Sequence, residues 1–221
     1  MNRFLVLLAW ISIGGLGDAC AQGWQVHLYQ KYDAGSFAAY SPAQQAIDPK
    51  SPDPVLLNAA VFFATNAQRQ AHGLAPFMHA EALERAAGDH SLDMVMRNFF
   101  SHQSPTFGRE TMKDRLSQVG IRNAYAAENI ADAFILNHPA GLPFEVRRNG
   151  YYHQGRKLRN RTYSEMGAHI VEQWMNSPGH RRNILSPDTT YLGVGVAFYG
   201  DPKRLRVKLT QNFSSSPGRN F

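Results

Sequence analysis

Three polar clusters punctuate a chain that is otherwise patterned by apolar residues: Phe99-Phe100-Ser101-His102, Ala127-Glu128-Asn129 and Ser177-Pro178-Gly179-His180. Two histidines and a carboxylate are residue types suited to metal ligation or acid–base work. A neutral imidazole offers a nitrogen lone pair, and a carboxylate in a tuned environment can take or give a proton. Their spacing is wide and no His-Glu-x-x-His run exists, so alone they form a weak metal signature. Each stands at a helix end or a junction, where side chains can converge on a cleft.

The stretch Trp174 to Leu185 reads in detail. Ser177 fits a helix N-cap with Pro178 at the first helical position, its hydroxyl accepting the amide of Gly179 or His180. A Ser177–His180 nucleophilic pair is the alternative, with no oxyanion motif beside it. In the first turn His180 feels the positive end of the helix dipole, which favours the neutral imidazole. That form suits a metal, and equally a histidine that only bonds across a corner. Arg181, Arg182 and Asn183 read as supports, an arginine pairing with an acid and Asn183 tying down backbone. His90 shares an apolar stripe with Leu83, Ala87 and Met94, as a satisfied core histidine does. Asp114 and Arg115 read as a surface pair.

The elements that must position these groups follow from period. Residues 54–73 and 80–100 carry apolar residues at helical intervals, the first opened by Pro54 and closed by Gly73. Residues 110–120 and 163–176 predict two more helices. From Tyr191 to Phe213 the period changes to two β-like runs about a Gly200-Asp201-Pro202-Lys203 turn. Leu205, Val207 and Leu209 alternate with Arg206 and Lys208, as in a strand with one wet face. Gly193 and Gly195 allow close packing in the first run. Residues 124–134 fit a strand or a helix start. Helices first and a hairpin last predict an α+β fold on a small, largely antiparallel sheet.

Around this domain, residues 1–21 read as a secretory signal: Arg3, an apolar run from Phe4 to Ile13, and the Ala19-Cys20-Ala21 triplet before cleavage. A lipoprotein anchored through Cys20 is the alternative; a spanning helix is too short and is broken by Gly14, Gly15 and Gly17. Cys20 is the single cysteine, so the exported chain has no thiol and stability rests on the core and any ligand. Residues 22–53 read as a proline-containing linker, 54–213 as the domain, and 214–221 as a flexible tail. The net charge of +6 is local. Arg147, Arg148, Arg156, Lys157, Arg159 and Arg161 lie in an acid-free segment interleaved with Tyr151, Tyr152 and His153. Such a segment suits an anionic partner such as envelope polymer or lipid headgroup, or a solvated loop; for an exported chain nucleic acid is an improbable partner.

The three clusters, in this order and together with Asp114-Arg115-Leu116, Gly193-Val194-Gly195 and Thr210-Gln211-Asn212-Phe213, closely resemble the CAP superfamily of cysteine-rich secretory, antigen 5 and pathogenesis-related 1 proteins, in its disulfide-free bacterial branch. The resemblance covers about residues 57–213 and implies a three-layer α-β-α sandwich. It also implies a cleft of two histidines and two acids that in some members binds a divalent cation. His102, Glu128 and His180 match three of these groups. The second acid falls on Ser177, and Glu172 is a poor substitute by spacing. Three functions compete. The first is an exported binding module for a small apolar or envelope-derived ligand. The second is a zinc hydrolase in which His102 and His180 hold Zn²⁺ and Glu128 is ligand or base. The third is a purely structural cleft. The segment 137–161 is the least family-like part of the range 57–213 and reads as a long loop that sets partner choice.

Overall fold

A computed structural model describes residues 23–138, 141–148 and 150–219. The expected export signal and Cys20 lie outside the described residues. Two short helices, α1 (Leu28–Lys31) and α2 (Ala34–Ala38), and a 3-10 turn (Ser41–Gln44) precede the long helix α3 (Pro54–Ala71). The two-residue strand β1 (Met78–His79) leads into α4 (Glu81–Met96), and α5 (Met112–Gln118) follows a long loop. Strand β2 (Ala126–Phe134) is followed by three short strands: β3 (Glu145–Arg147), β4 (Gly150–His153) and β5 (Arg156–Lys157). Helices α6 (Tyr163–Met175) and α7 (Pro178–Ile184) precede β6 (Tyr191–Tyr199) and β7 (Arg206–Ser214).

The central sheet has the order β1-β6-β7-β2, with β1 parallel to β6 and the other pairs antiparallel. Helix α4 packs on one face of β6 and β7, while α3 lies on the other side with α6. The expected α-β-α sandwich with a largely antiparallel sheet is what forms. Asp53 starts α3 by accepting the amides of Val55 and Leu56, and Thr162 and Thr111 start α6 and α5 with capping boxes. The segment 124–134, ambiguous by period, is strand over β2. With helices over both faces of the sheet, the side of β7 expected to be wet is covered. Lys208 is buried, donating to the carbonyl of Phe99 and pairing with Asp132, which also binds Arg206.

Residues 23–53, expected as part of an extended linker, are packed instead. Trp24 sits in a nest of rings from Tyr29, Tyr32, Phe37, Tyr40 and Phe63, and Ile47 is buried with them. Five aromatics in twenty residues carry enough apolar surface to outweigh the ordering entropy that the prolines had suggested would leave the segment free. Nor are residues 214–219 a loose tail. Ser214 ends β7, Arg219 N–H donates to Val119 O, and Gly218 lies against Ala82 and Ile121.

The basic segment is not a long loop but carries its own three-stranded antiparallel sheet, order β3-β4-β5. Gln154 and Gly155 both take positive φ between β4 and β5, the signature of a two-residue hairpin turn. Part of its charge is spent internally. Arg147 pairs with Glu145, Arg159 with Glu165, and Arg161 is buried, donating to the carbonyls of Phe134, Leu136 and His138. Arg148, Arg156 and Lys157 are exposed.

The glycines of β6 let α4 sit directly on the strand. A Cβ on Gly195 would stand 1.9 Å from Gly88 N and 2.3 Å from Ala87 C, backbone atoms that cannot swing aside. We expect Gly195→Ala to destabilise the protein by about 3 kcal/mol or more. Gly88→Ala, whose Cβ meets nothing within 4 Å, should be neutral or stabilise by up to about 1 kcal/mol through helix propensity. Urea unfolding of both variants checks the pair; equal effects would refute the close-contact account.

Candidate functional site

Glu128 projects from β2 beside its register partner Asn212 on β7, toward the α4 side, and is 8% exposed. A carboxylate cannot stay ionised there without partners. Arg115 Nη2 donates to Oε2 at 2.7 Å, and His102 Nδ1 to Oε1 at 2.8 Å. His90 Nε2 stands 4.0 Å from Oε1. With its amide turned to satisfy both ends, Asn212 adds a donor to Oε2 at 3.1 Å. Burial alone would raise the carboxyl pKa, but the His102 hydrogen bond and the charges of Arg115 and His90 outweigh it and hold it below the ordinary value.

Arg115 is therefore no surface residue. Asp114 and Thr111 close the capping box of α5, and this leaves the arginine pointing inward, fully buried, with further bonds to the carbonyls of Arg109 and His102. Sequence reasoning misread it because a lone Asp-Arg pair on a short amphipathic helix looks solvated. The signal was that Asp114-Arg115-Leu116 is one of the segments carrying the family resemblance. His90 is buried as expected but only half satisfied: Nε2 donates to Ser101 O at 3.0 Å, while Nδ1 has no partner. Burial, more than the opposing attraction of Glu128, pushes its pKa down.

His102 lies in the loop between α4 and α5 with half its side chain exposed. Because Nδ1–H is given to Glu128, the neutral ring keeps its lone pair on Nε2. His180 sits in the first turn of α7, half-buried, and burial together with the nearby His102 lowers its pKa. Helix α7 is tied to β2 through Asn183, which donates to Glu128 O at 3.3 Å and Asn129 Oδ1 at 2.8 Å. Asn129 in turn reaches His180 O at 3.3 Å. Arg181 bonds His72 at 2.9 Å, not an acid. Ser177 occupies the N-cap, but its hydroxyl makes no capping bond. Pro178 has already removed one amide in need of an acceptor, and the Ser177 carbonyl closes the first turn by accepting Arg181 N–H at 2.8 Å. Glu172 is exposed on α6.

Among the described residues no three His, Cys, Asp or Glu side chains converge to hold a metal ion. Both oxygens of Glu128 are engaged, so as placed these residues do not make a three-ligand zinc site of His102, Glu128 and His180. Glu128 instead orients His102, in the way outer-sphere carboxylates orient imidazoles.

Two outcomes follow from this arrangement. Arg115→Met should cost about 3–5 kcal/mol, the penalty of stranding a buried carboxylate, and adding Glu128→Gln should recover part of it; additive losses in a denaturant double-mutant cycle would contradict the pairing. His90 and His180, with folded values below the ordinary 6.5, bind protons less readily folded than unfolded. Stability should then be complete above 6.5 and decline as pH falls through it. The lowered Glu128 adds a further loss that begins as pH falls below the ordinary 4.5 and is complete once pH has passed its depressed value. Unfolding free energies at about pH 7.5 and about pH 5.5 test the histidine part, with a smaller drop expected in His90→Gln. A flat profile in the wild type would sink it.

A model of the cysteine-rich secretory protein family (CAP) matches residues 62–213. The protein YkwD of Bacillus subtilis is 37% identical over 136 residues, 62% of this chain and 40% of its own length. The membrane protein YlbC of the same organism is 34% identical over 149 residues, 67% of this chain and 32% of its own. The chain thus spans less than half the length of these curated relatives. A solved extracellular protein containing an SCP domain from Bacillus anthracis superposes with a TM-score of 0.52 at 29% identity, over 74% of this chain and 41% of that one. The matched span holds the sandwich and all of His102, Arg115, Glu128 and His180, and with its single cysteine and hence no internal disulfide, this chain belongs to the CAP family.

Proposed function

We propose that the chain is an exported CAP-domain binding module, whose cleft offers His102 and His180 to the polar end of a small apolar or envelope-derived ligand. The observation that carries this reading is the condition of Glu128. A general base needs a carboxylate free to take a proton near neutral pH, whereas Glu128 is held ionised by Arg115 and spends its other oxygen on His102. The Ser177 hydroxyl has no base bonded to it, so a nucleophilic pair has no support either. What the cleft presents is the Nε2 lone pair of His102 and the half-buried ring of His180.

The surroundings suit an amphipathic guest. Phe100 and Phe107, on the His102 loop, are 50% and 97% exposed. Beside α7 lies a depression of about 390 Å³ lined by Tyr125, Leu185, Pro187, Arg181, Arg182 and Asp188, apolar surface with two arginines against one acid. Arg148, Arg156 and Lys157 are the part of the basic segment suited to an anionic envelope polymer. Export is supported by the signal pattern of residues 1–21 and by the extracellular nature of the Bacillus anthracis relative. No helix among the described residues is long and apolar enough to cross a membrane.

Zinc titration with thermal melts, and binding of dihexanoyl phosphatidylglycerol, on wild type, His102→Ala, Glu128→Ala and His180→Ala, separates the readings. A binding module gives lipid affinity weakened about tenfold in either histidine variant, with melting little changed and no zinc dependence. Stoichiometric zinc that raises the melting temperature of wild type only, with hydrolysis of a peptide or ester, would replace it with the zinc hydrolase. Lower melting in the variants without any ligand effect would leave a structural cleft.

A further inference from the structure

A second polar centre lies at the other end of the sheet order, where the N-terminal helices meet β1. His79 Nε2 donates to Glu84 Oε2 at 2.5 Å, and the same carboxylate accepts Tyr29 Oη and Asn58 Nδ2, each at 3.2 Å. The Tyr29 ring stacks on His79 with centroids 3.7 Å apart and 6° between planes. The His79 side chain is only 7% exposed; with Nε2–H given to Glu84 the neutral ring keeps its lone pair on Nδ1, which meets no hydrogen-bond partner among the described residues. It borders a cavity of about 410 Å³, within the size range of small-molecule sites.

The walls of this cavity select a chemistry. Tyr29, Tyr32, Phe62, Phe77 and Tyr191 give it aromatic faces. Its charged lining is Asp33 and Glu81, and among the described lining residues there is no lysine or arginine, in a chain of net charge +6. An anion would meet two carboxylates with no cation among the lining residues. A cation meets both the carboxylates and the negative faces of the rings. Lys31 already places its ammonium 5.9 Å from the centre of the Tyr32 ring. None of these residues belongs to the His102 cleft, and Tyr29, Tyr32 and Asp33 lie in the N-terminal segment outside the matched family span.

We propose that this cavity binds a primary amine carried on an apolar or aromatic body, its N–H donated to His79 Nδ1 and its charge matched by Asp33 and Glu81. Three probes of one shape test it on the ¹⁵N-labelled chain: 2-phenylethylamine, 2-phenylethanol and phenylacetate, followed by amide shifts. The amine should give saturable shifts at Phe77, His79 and Tyr191 and bind about tenfold more tightly than phenylacetate. Glu81→Gln should weaken the amine by about threefold or more while sparing the alcohol, and Glu81→Lys should reverse the preference toward phenylacetate. Glu81 opens α4 on a partly exposed turn, so a thermal melt serves to show both variants folded. Equal affinity for amine and acid, shifts confined to the His102 cleft, or no shift up to the solubility of the amine would each overturn the proposal.

Discussion

The buried pair between Glu128 and Arg115 is the constraint on which the candidate cleft rests. Removing a carboxylate from water costs several kcal/mol even after relaxation, and a strand in the middle layer of a sandwich offers no water in exchange. The protein answers with a guanidinium brought from α5, a helix of only seven residues. Such a helix is too short to hold itself by propensity. Its capping box and the docking of Leu116 position it. The pair adds little net stability on its own account. Its effect is to fix geometry, since α5 cannot move without stranding a charge.

That fixing extends to the loop bearing His102. Between the end of α4 and the start of α5 the chain has no ladder to satisfy its carbonyls, and buried polar side chains take that role. Lys208 holds Phe99 O, His90 holds Ser101 O, and Arg115 holds both His102 O and Arg109 O. Asp93 on α4 adds side-chain bonds to Ser104 and Thr106. A loop pinned at this many points behaves as a rigid mount, so His102 meets solvent with its tautomer and direction already set. This is the pre-organisation that binding sites exploit to avoid an entropic cost on ligand capture. The unpartnered Nδ1 of His90 is the cost of bringing a second imidazole beside the same carboxylate.

Period and capping made most of the fold legible. The helices over 54–71, 81–96 and 163–175 and the closing hairpin follow from apolar spacing, Pro54, Gly73 and the Gly-Asp-Pro-Lys turn, because those signals are local. What escaped is non-local. Arg115 and Lys208 look like surface charges in any window of sequence, and only the three-layer packing, which covers both sheet faces, buries them against Glu128 and Asp132. Residues 24–47 were disguised by prolines and glycines, although their aromatic density held the opposite message. His102, Glu128 and His180 were found through residue type and family resemblance. The role of Glu128 as the group that orients His102 depends on which oxygen faces which donor, and no spacing encodes that.

The hydrogen-bonded pairs His102–Glu128 and His79–Glu84 differ in their counter-charge, and that difference sets what each centre can do. Around Glu128 the carboxylate has a full cation in Arg115, so its charge is cancelled within 2.7 Å and His102 projects from a centre that is close to neutral. Around Glu84 the donors are a phenol, an amide and His79, all of them neutral when the imidazole is neutral. In that neutral form of His79 the charge of Glu84 is solvated but not cancelled, and Asp33 and Glu81 add to it on the walls of the neighbouring cavity. A charge left uncancelled in a partly enclosed, aromatic-walled space acts over a longer reach than one screened by water. The same dyad therefore serves as a rigid mount at one end of the sheet and as the source of a negative field at the other.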